Sequence, residues 1–475
     1  MKRRTFLLGA AATGGCAVVP RDPDLGALYQ YRSAVDPALR RPLVTLPGTL
    51  GSRLRQGVDG PFLWGGPGRL SEDPATPEGF RRLALPIGRG DEPLSALTDG
   101  VHVDGVLREA NASVFGGVVQ QQVYSGLVEA LNAGGYEFSR TEAEERARQG
   151  ENPGSLEFPY DWRRDIVEAA QALDAFIERK ARQIERVRRA RYGRAPAAAR
   201  LRFDFVAHSM GTLVLRWWLM HGAADLPAGG GLPALTWAGA RRAACVVFVA
   251  PPNLGSISAF ESLVNGRSLG PLQPVYPPAL LGTHPSLFQL MPRDRHGRLR
   301  RGGLDGPAAA TFDAEAWDAM GWSLLDPGQA AGLATLMPDV SDPAERRRRA
   351  KAHVARALDR AARVHAALDR PGTPPSTDLF LVVGTGLDTP ATAVLDETGA
   401  VAVRGVEEGD GVVLRASALS DERQGGRDPD GPRRPIRYRT TLLLPGEHVE
   451  LTRNPVFTDN LLYWLRDQPR IRVAG

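Results

Sequence analysis

The chain predicts an α/β fold with a mainly parallel sheet flanked by helices. Three observations carry this. Short apolar runs recur at 43–46, 203–206, 245–249, 379–383 and 441–444, each bounded by Gly, Pro or Asp. Continuous runs of that length suit strands buried on both faces, as in a parallel sheet. Helical stretches lie between the runs, and strands alternating with helices define the class. Two long segments, 51–115 and 256–342, fit neither pattern and are rich in Gly, Pro and scattered aromatics. Loops this long in a compact protein are lids, caps or binding loops.

The helices are read from periodicity. Ile166, Ala170, Leu173, Ile177, Ile184 and Val187 form one apolar stripe with Arg and Glu elsewhere. Ser341-Asp342-Pro343 opens another helix with a cap and an N1 proline. Its stripe is Val354, Leu358, Ala361, Val364 and Leu368, and Arg370-Pro371-Gly372 stops it. The run Arg346 to Arg349 on this helix reads as a solvated face, with anionic lipid contact as the alternative. No internal repeat is present.

Composition bounds the function. The 475 residues are 43% hydrophobic and 24% charged, enough for one large domain with insertions or for two domains. The net charge is +5, but acidic residues lie close to basic ones throughout. No basic stripe interleaves with aromatics, so nucleic acid is not an expected partner.

The first residues read as an export signal over 1–19. Lys2-Arg3-Arg4-Thr5-Phe6-Leu7-Leu8 is a twin-arginine start, followed by an apolar stretch too short and too rich in Gly and Ala to span a bilayer stably. Thr13-Gly14-Gly15-Cys16 resembles a bacterial lipobox, which makes Cys16 a candidate lipid anchor, although Thr13 stands where leucine is usual. The expected location is the bacterial cell envelope, as a periplasmic protein or a membrane-anchored lipoprotein. The remaining cysteine, Cys245, lies in an apolar run and reads as a small buried hydrophobe, leaving no internal disulfide.

Two serines compete for a chemical role. Phe205 to Leu213 reads FVAHSMGTL, a G-x-S-x-G elbow with Ala207 in the first glycine position. Gly266 to Gly270 reads GRSLG, a complete match. An elbow needs a strand, a tight turn and then a helix, with small residues flanking the serine so that strand and helix backbones can approach. Ser209 has a strand-like run before it and a helix-like run, 213–219, after it. Ser268 has no strand-like run before it, and Gly270-Pro271-Leu272-Gln273-Pro274 blocks a helix. Ser209 is therefore the elbow candidate, and Ser268 belongs to a turn in the cap.

A serine hydroxyl needs a base and an orienting acid, which on this fold follow it in the order acid, then histidine. His448 lies on a loop just beyond the last strand, where a base belongs. His221, His284, His296, His353 and His365 sit in helices or in the Pro-rich cap. The acid is Asp388, after the run 379–383, or Asp410 in Gly409-Asp410-Gly411-Val412-Val413; spacing leaves both open. The histidines are scattered, with no H-E-x-x-H and no cysteine pair, and Gly384-Thr385-Gly386 is only a fragment of a nucleotide loop. Neither a metal nor an organic cofactor is expected.

Taken in order, these blocks resemble the lecithin:cholesterol acyltransferase family and its relative, the lysosomal phospholipase A with transacylase activity. Leu43-Val44-Thr45-Leu46-Pro47-Gly48-Thr49-Leu50-Gly51-Ser52 resembles the family's first-strand motif. Pro159-Tyr160-Asp161-Trp162-Arg163-Arg164 resembles its PYDWR signature, and Val206 to Gly211 its elbow. Gly384-Thr385-Gly386, the Asp410 block and Pro445-Gly446-Glu447-His448-Val449-Glu450 resemble its last three blocks. The resemblance implies an α/β-hydrolase fold over 38–475, with a lid or membrane-contact insertion at 51–115 and a cap at 256–342. It favours Asp410 as the acid, although Val412 replaces the usual Thr. It also implies an oxyanion hole from the backbone N–H groups of Thr49 and Met210. The family's paired lid cysteines are absent, and the insertions align poorly.

The implied activity is acyl transfer from a membrane phospholipid, through an acyl-enzyme, to water or a lipophilic alcohol. Phe62, Leu63 and Trp64 are a candidate membrane anchor, with cap packing as the alternative. Competing readings are a soluble carboxylesterase of the same fold and a lipid-binding lipoprotein without catalysis.

Overall fold

In the computed structural model the described residues run from 40 to 466, without 68, 91, 115–116, 123, 137–154, 194, 269–273 and 422–435. The twin-arginine start and Cys16 lie outside them. The centre is a six-stranded parallel sheet of β1 (Leu43–Leu46), β2 (Ser155–Glu157), β3 (Phe203–His208), β4 (Ala243–Val249), β5 (Asp378–Thr385) and β6 (Thr440–Pro445). The order across the sheet is β6-β5-β4-β3-β1-β2. Five strands match the five apolar runs. The edge strand β2, only three residues long, carries no such run.

The continuous runs divide cleanly between the faces, because successive strand residues point to opposite sides. Leu379, Leu381 and Val383 of β5 join one apolar cluster with Phe205 and Phe248. Phe380 and Val382 join the other with Val206 and Val247. On the first face pack α2 (Ile166–Tyr192), α3 (Met210–His221) and α5 (Pro343–Leu368). On the second pack α1 (Ser125–Ala133) and α6 (Pro455–Arg466), with Trp464 stacked on Phe380 at 4.7 Å between ring centres. The α/β-hydrolase fold follows: a parallel sheet covered on both sides, with loops gathered at the carboxyl ends of its strands.

The helix ends are those the sequence signals. Asp165 caps α2 by accepting from the Val167 N–H at 2.6 Å, and Gly193 closes it at φ 69°. Asp342 caps α5 with Pro343 at its first position. The arginines of this helix are engaged locally: Arg347 with Asp318, and Arg348 and Arg349 with Glu345, each at 2.7 Å. Asp318 and Glu345 thus offset part of the charge of this run. Among the described residues no helix is long and apolar enough to cross a membrane.

The first insertion is a four-stranded antiparallel ribbon rather than a loop. Its strands are ordered Arg69–Ser71, Phe62–Gly66, Ser52–Gln56, Val101–Val106, with the short helix Pro77–Leu83 beside them. This corrects the membrane-anchor expectation. Leu63 and Trp64 are 1% and 2% exposed. The Trp64 indole N–H donates to the Leu50 carbonyl at 2.7 Å, and its ring meets Trp162 edge-on. The Arg55 guanidinium covers the Phe62 ring at 3.7 Å. Leu63 and Trp64 therefore pack inward, and Phe62 is half-buried beneath Arg55. The second insertion carries α4 (Ile257–Asn265), several short helices and a small hairpin of Arg267–Ser268 with Val275–Tyr276.

Candidate active site

Ser209 sits between β3 and α3 at φ 51° and ψ −128°, a conformation non-glycine residues seldom adopt. Its surroundings enforce that turn. The Ser209 N–H donates to the Val249 carbonyl at 2.9 Å, and the Thr212 hydroxyl donates to the Ser209 carbonyl at 2.6 Å. A Cβ on Gly211 would fall 2.4 Å from the Pro47 carbonyl oxygen, so that position must be glycine. Ala207 differs: it lies in β3, opposite Leu46 and Phe248, where its methyl is part of a sheet face.

Ser268 has none of this. It ends a two-residue strand of an exposed hairpin, and α4 closes just before it at Gly266. Gly270 lies outside the described residues.

Three side chains from three loops meet at the elbow. His448, in the loop after β6, stands with Nε2 2.8 Å from Ser209 Oγ and Nδ1 2.8 Å from Asp410 Oδ2. The other carboxylate oxygen of Asp410 accepts from the Val412 and Val413 N–H groups at 3.0 and 2.7 Å. The His448 N–H donates to the Asp410 carbonyl at 3.0 Å, which fixes the two loops to each other. Burial opposes ionisation of Asp410, but the His448 charge and hydrogen bond and the two backbone N–H groups outweigh it and hold the carboxyl below its usual range. Gly384 makes room for the acid, since a Cβ there would lie 2.4 Å from Asp410 Cβ. Asp388, the alternative acid, is exposed on the strand Leu387–Leu395, paired opposite Glu408 and with no bond to His448.

The turn after β1 abuts the serine. A Cβ on Gly48 would fall 2.7 Å from Ser209 Cβ. The Gly51 N–H closes the turn onto the Gly48 carbonyl at 3.1 Å, and the Thr49 hydroxyl reaches Met210 Sδ at 3.5 Å. Thr49 and Met210 are thus neighbours across the elbow. A hydroxyl hydrogen-bonded to an imidazole, with a buried carboxylate behind it, can be deprotonated as it attacks a carbonyl carbon.

Two residues that sequence reasoning left without a role complete the site. His208, fully buried, takes a hydrogen bond on Nδ1 from the Tyr124 hydroxyl at 2.8 Å, and its Nε2 donates to the His448 carbonyl at 3.0 Å. The Tyr124 hydroxyl in turn accepts from the Gly48 N–H at 2.7 Å. One relay therefore ties the turn after β1 to the backbone of the base. Burial, then the nearby His448 charge, push His208 down to about 3, so it stays neutral and keeps this tautomer. Its position beside Ser209 was the only available signal; Tyr124, 84 residues away, gave none.

The PYDWR string supports the same region. The Tyr160 hydroxyl donates to the Pro47 carbonyl at 2.8 Å and the Trp162 indole to the Ser52 carbonyl at 3.2 Å. Arg163, with a side chain 0% exposed, pairs with Asp161 and with Asp99 of the ribbon, each at 2.7 Å, and donates to the Leu83 carbonyl at 3.2 Å. An apolar pocket opens beside Thr49 and Leu50, walled mainly by Leu83, Trp162, Leu280 and Leu287.

No model of a known protein family matches the chain, and no curated protein matches it. Among solved structures it is similar to a chain in the crystal structure of the Tle4–Tli4 complex, at 14% identity and a TM-score of 0.52, covering 90% of this chain and 98% of that one. That likeness is one of fold. Matches to a structure of EstA from Clostridium botulinum (10% identity, 91% and 88% covered, TM-score 0.34) and to the lin2722 gene product of Listeria innocua (10%, 91% and 96%, TM-score 0.25) are too distant in shape to bear on the site.

Proposed function

We propose that this chain is an exported, serine-dependent lipid acyl hydrolase or O-acyltransferase acting on phospholipid esters. The observation that carries the reading is the unbroken hydrogen-bond chain from Asp410 through His448 to Ser209 at a strained elbow. In this mechanism Ser209 Oγ attacks the ester carbonyl carbon while its proton passes to His448 Nε2, and Asp410 holds the imidazole in the tautomer that accepts it. The Thr49 and Met210 N–H groups receive the tetrahedral oxyanion. Collapse breaks the ester C–O bond, and His448 returns the proton to the departing lipid alcohol. Water or a lipophilic alcohol then attacks the acyl-enzyme by the same route, regenerating Ser209. The apolar cavity beside Thr49 suits an acyl chain whose carbonyl lies at Ser209.

The amino-terminal twin-arginine string and Cys16 support placement in a cell envelope, where phospholipid is at hand. Lipids recovered after incubating the wild type and Ser209→Ala with phospholipid vesicles plus a lipophilic alcohol are read by mass spectrometry. The reading expects a free fatty acid or a new ester only with the wild type; no Ser209-dependent product of either kind would sink it. Turnover of short soluble esters with none on vesicles would select the carboxylesterase alternative.

A further inference from the structure

The pocket beside Thr49 has two unlike parts. Leu83, Leu280 and Trp162 are buried and form an apolar floor. Arg267 is the exposed member of the lining and its one permanent charge, so it stands where the pocket meets water. The chain fixes it there. Helix α4 closes at Gly266, whose N–H donates to the Ser262 carbonyl at 3.0 Å. Gly266 stands at φ 77°, and a Cβ on it would fall 2.7 Å from the Tyr276 carbonyl oxygen, so this turn requires glycine. Arg267 then pairs directly opposite Tyr276 in the hairpin. Residues opposite each other in an antiparallel pair share a face, and Tyr276 is a buried wall of the same pocket. A hydrogen bond between the Tyr276 and Ser71 side chains ties the hairpin to the ribbon.

The Arg267 guanidinium has no counter-ion. Among the described residues no hydrogen bond or ion pair engages it. Loss of water holds it below its usual value, and the charge of Glu261 on α4 opposes this only in part. A partly dehydrated cation at the lip of an apolar pocket is complementary to an amphiphile, with the chain inside and an anion at the rim. A guanidinium grips a phosphate through two parallel N–H···O bonds. In a phospholipid the phosphate lies a few bonds from the scissile ester, on the side that stays in water, whereas the far end of the acyl chain is buried. We propose that Arg267 binds the phosphate of the lipid whose ester carbonyl lies at Ser209, so that the enzyme selects phosphate-bearing lipids over neutral glycerides; this assignment rests on the acyl-transfer reading of Ser209. Arg267 is then a specificity residue, remote from the reacting atoms.

The test compares kcat/KM for phosphatidylcholine and for diacylglycerol with identical acyl chains, each dispersed in nonionic detergent micelles. We expect the wild type to favour the phospholipid at least about tenfold. Arg267→Gln should bring the two lipids level, and Arg267→Lys, which keeps the charge but loses the fork, should retain part of the preference. Arg267 is exposed and unpaired, so these substitutions leave the fold intact. The ratio cancels any effect on the Ser209 chemistry, which both lipids share. Diacylglycerol is then measured with an uncleavable dialkyl ether phospholipid added. If this raises its turnover by the wild type to the phospholipid's level, Arg267 senses surface phosphate instead of the substrate's own, and the proposal is overturned. Equal turnover of the two lipids by the wild type, or a preference that survives in Arg267→Gln, also overturns it and leaves the acyl-transfer reading standing. Absence of Ser209-dependent turnover of either lipid overturns both.

Discussion

Ser209 and Ser268 carry nearly the same pattern in opposite settings. Ser209 has the imperfect string but stands between a buried strand and a buried helix, with the Gly48 turn against it. Ser268 has the perfect string on an exposed two-residue strand. The difference teaches what each glycine of the pattern is for. The second is a steric requirement, because Gly211 touches the Pro47 carbonyl. The first lies within the strand, where a methyl is accommodated. A pattern match without strand and helix specifies no geometry.

The comparison breaks most directly by exchange of the hydroxyls. Ser209→Ala should lower ester turnover at least about 10⁴-fold, whereas Ser268→Ala should leave it unchanged; the opposite result in a steady-state assay would reverse the assignment. Next in size, Asp410→Asn should cost about 10³-fold or more in kcat, by removing the acceptor that sets the His448 tautomer, and exposed Asp388→Asn should cost nothing. Gly211→Ala should destabilise the fold by about 2 kcal/mol through overpacking against the Pro47 carbonyl, read as a lower denaturant midpoint with an unchanged slope.

A smaller effect separates the elbow's neutral shell from the hairpin. His208 titrates near 3 when folded against an ordinary 6.5. Between those values the unfolded chain binds a proton that the folded one refuses, so His208 makes stability fall as pH drops from about 6.5 towards 3. His208→Phe should show a shallower fall between pH 7 and 4.5; identical slopes would remove His208 from the account. The smallest effect is expected from Ala207→Gly, which completes the pattern. It should lower stability by about 0.5–1 kcal/mol and give no gain in turnover.

What was legible follows from locality. Five strands announced themselves as short, mostly apolar runs; β1, β3, β4 and β5 are buried on both faces, and the edge strand β6 only in part. The elbow and the loop of His448 were legible from flanking strands and helices alone. Residue spacing could not separate Asp410 from Asp388, since the choice rests on the loop fold that turns Val412 and Val413 N–H onto one carboxylate. Strand β2 was missed because three edge residues carry too little pattern. Phe62, Leu63 and Trp64 suggested a membrane face; their burial depends on Trp162, about a hundred residues away in the chain. The Tyr124–His208 relay was invisible for the same reason.

The Arg163 ion cluster bears on modularity. One carboxylate partner, Asp161, belongs to the core string, and the other, Asp99, to the ribbon; Leu83, whose carbonyl it also holds, ends the short helix Pro77–Leu83 beside the ribbon. Cutting the ribbon away to obtain a minimal enzyme would leave an interior guanidinium with half its counter-charge, a loss of about 3–5 kcal/mol when a buried pair is broken. The same pairing makes a wide swing of the ribbon costly, and homologous shuffling of this insertion should succeed only when Asp99 and Arg163 travel together.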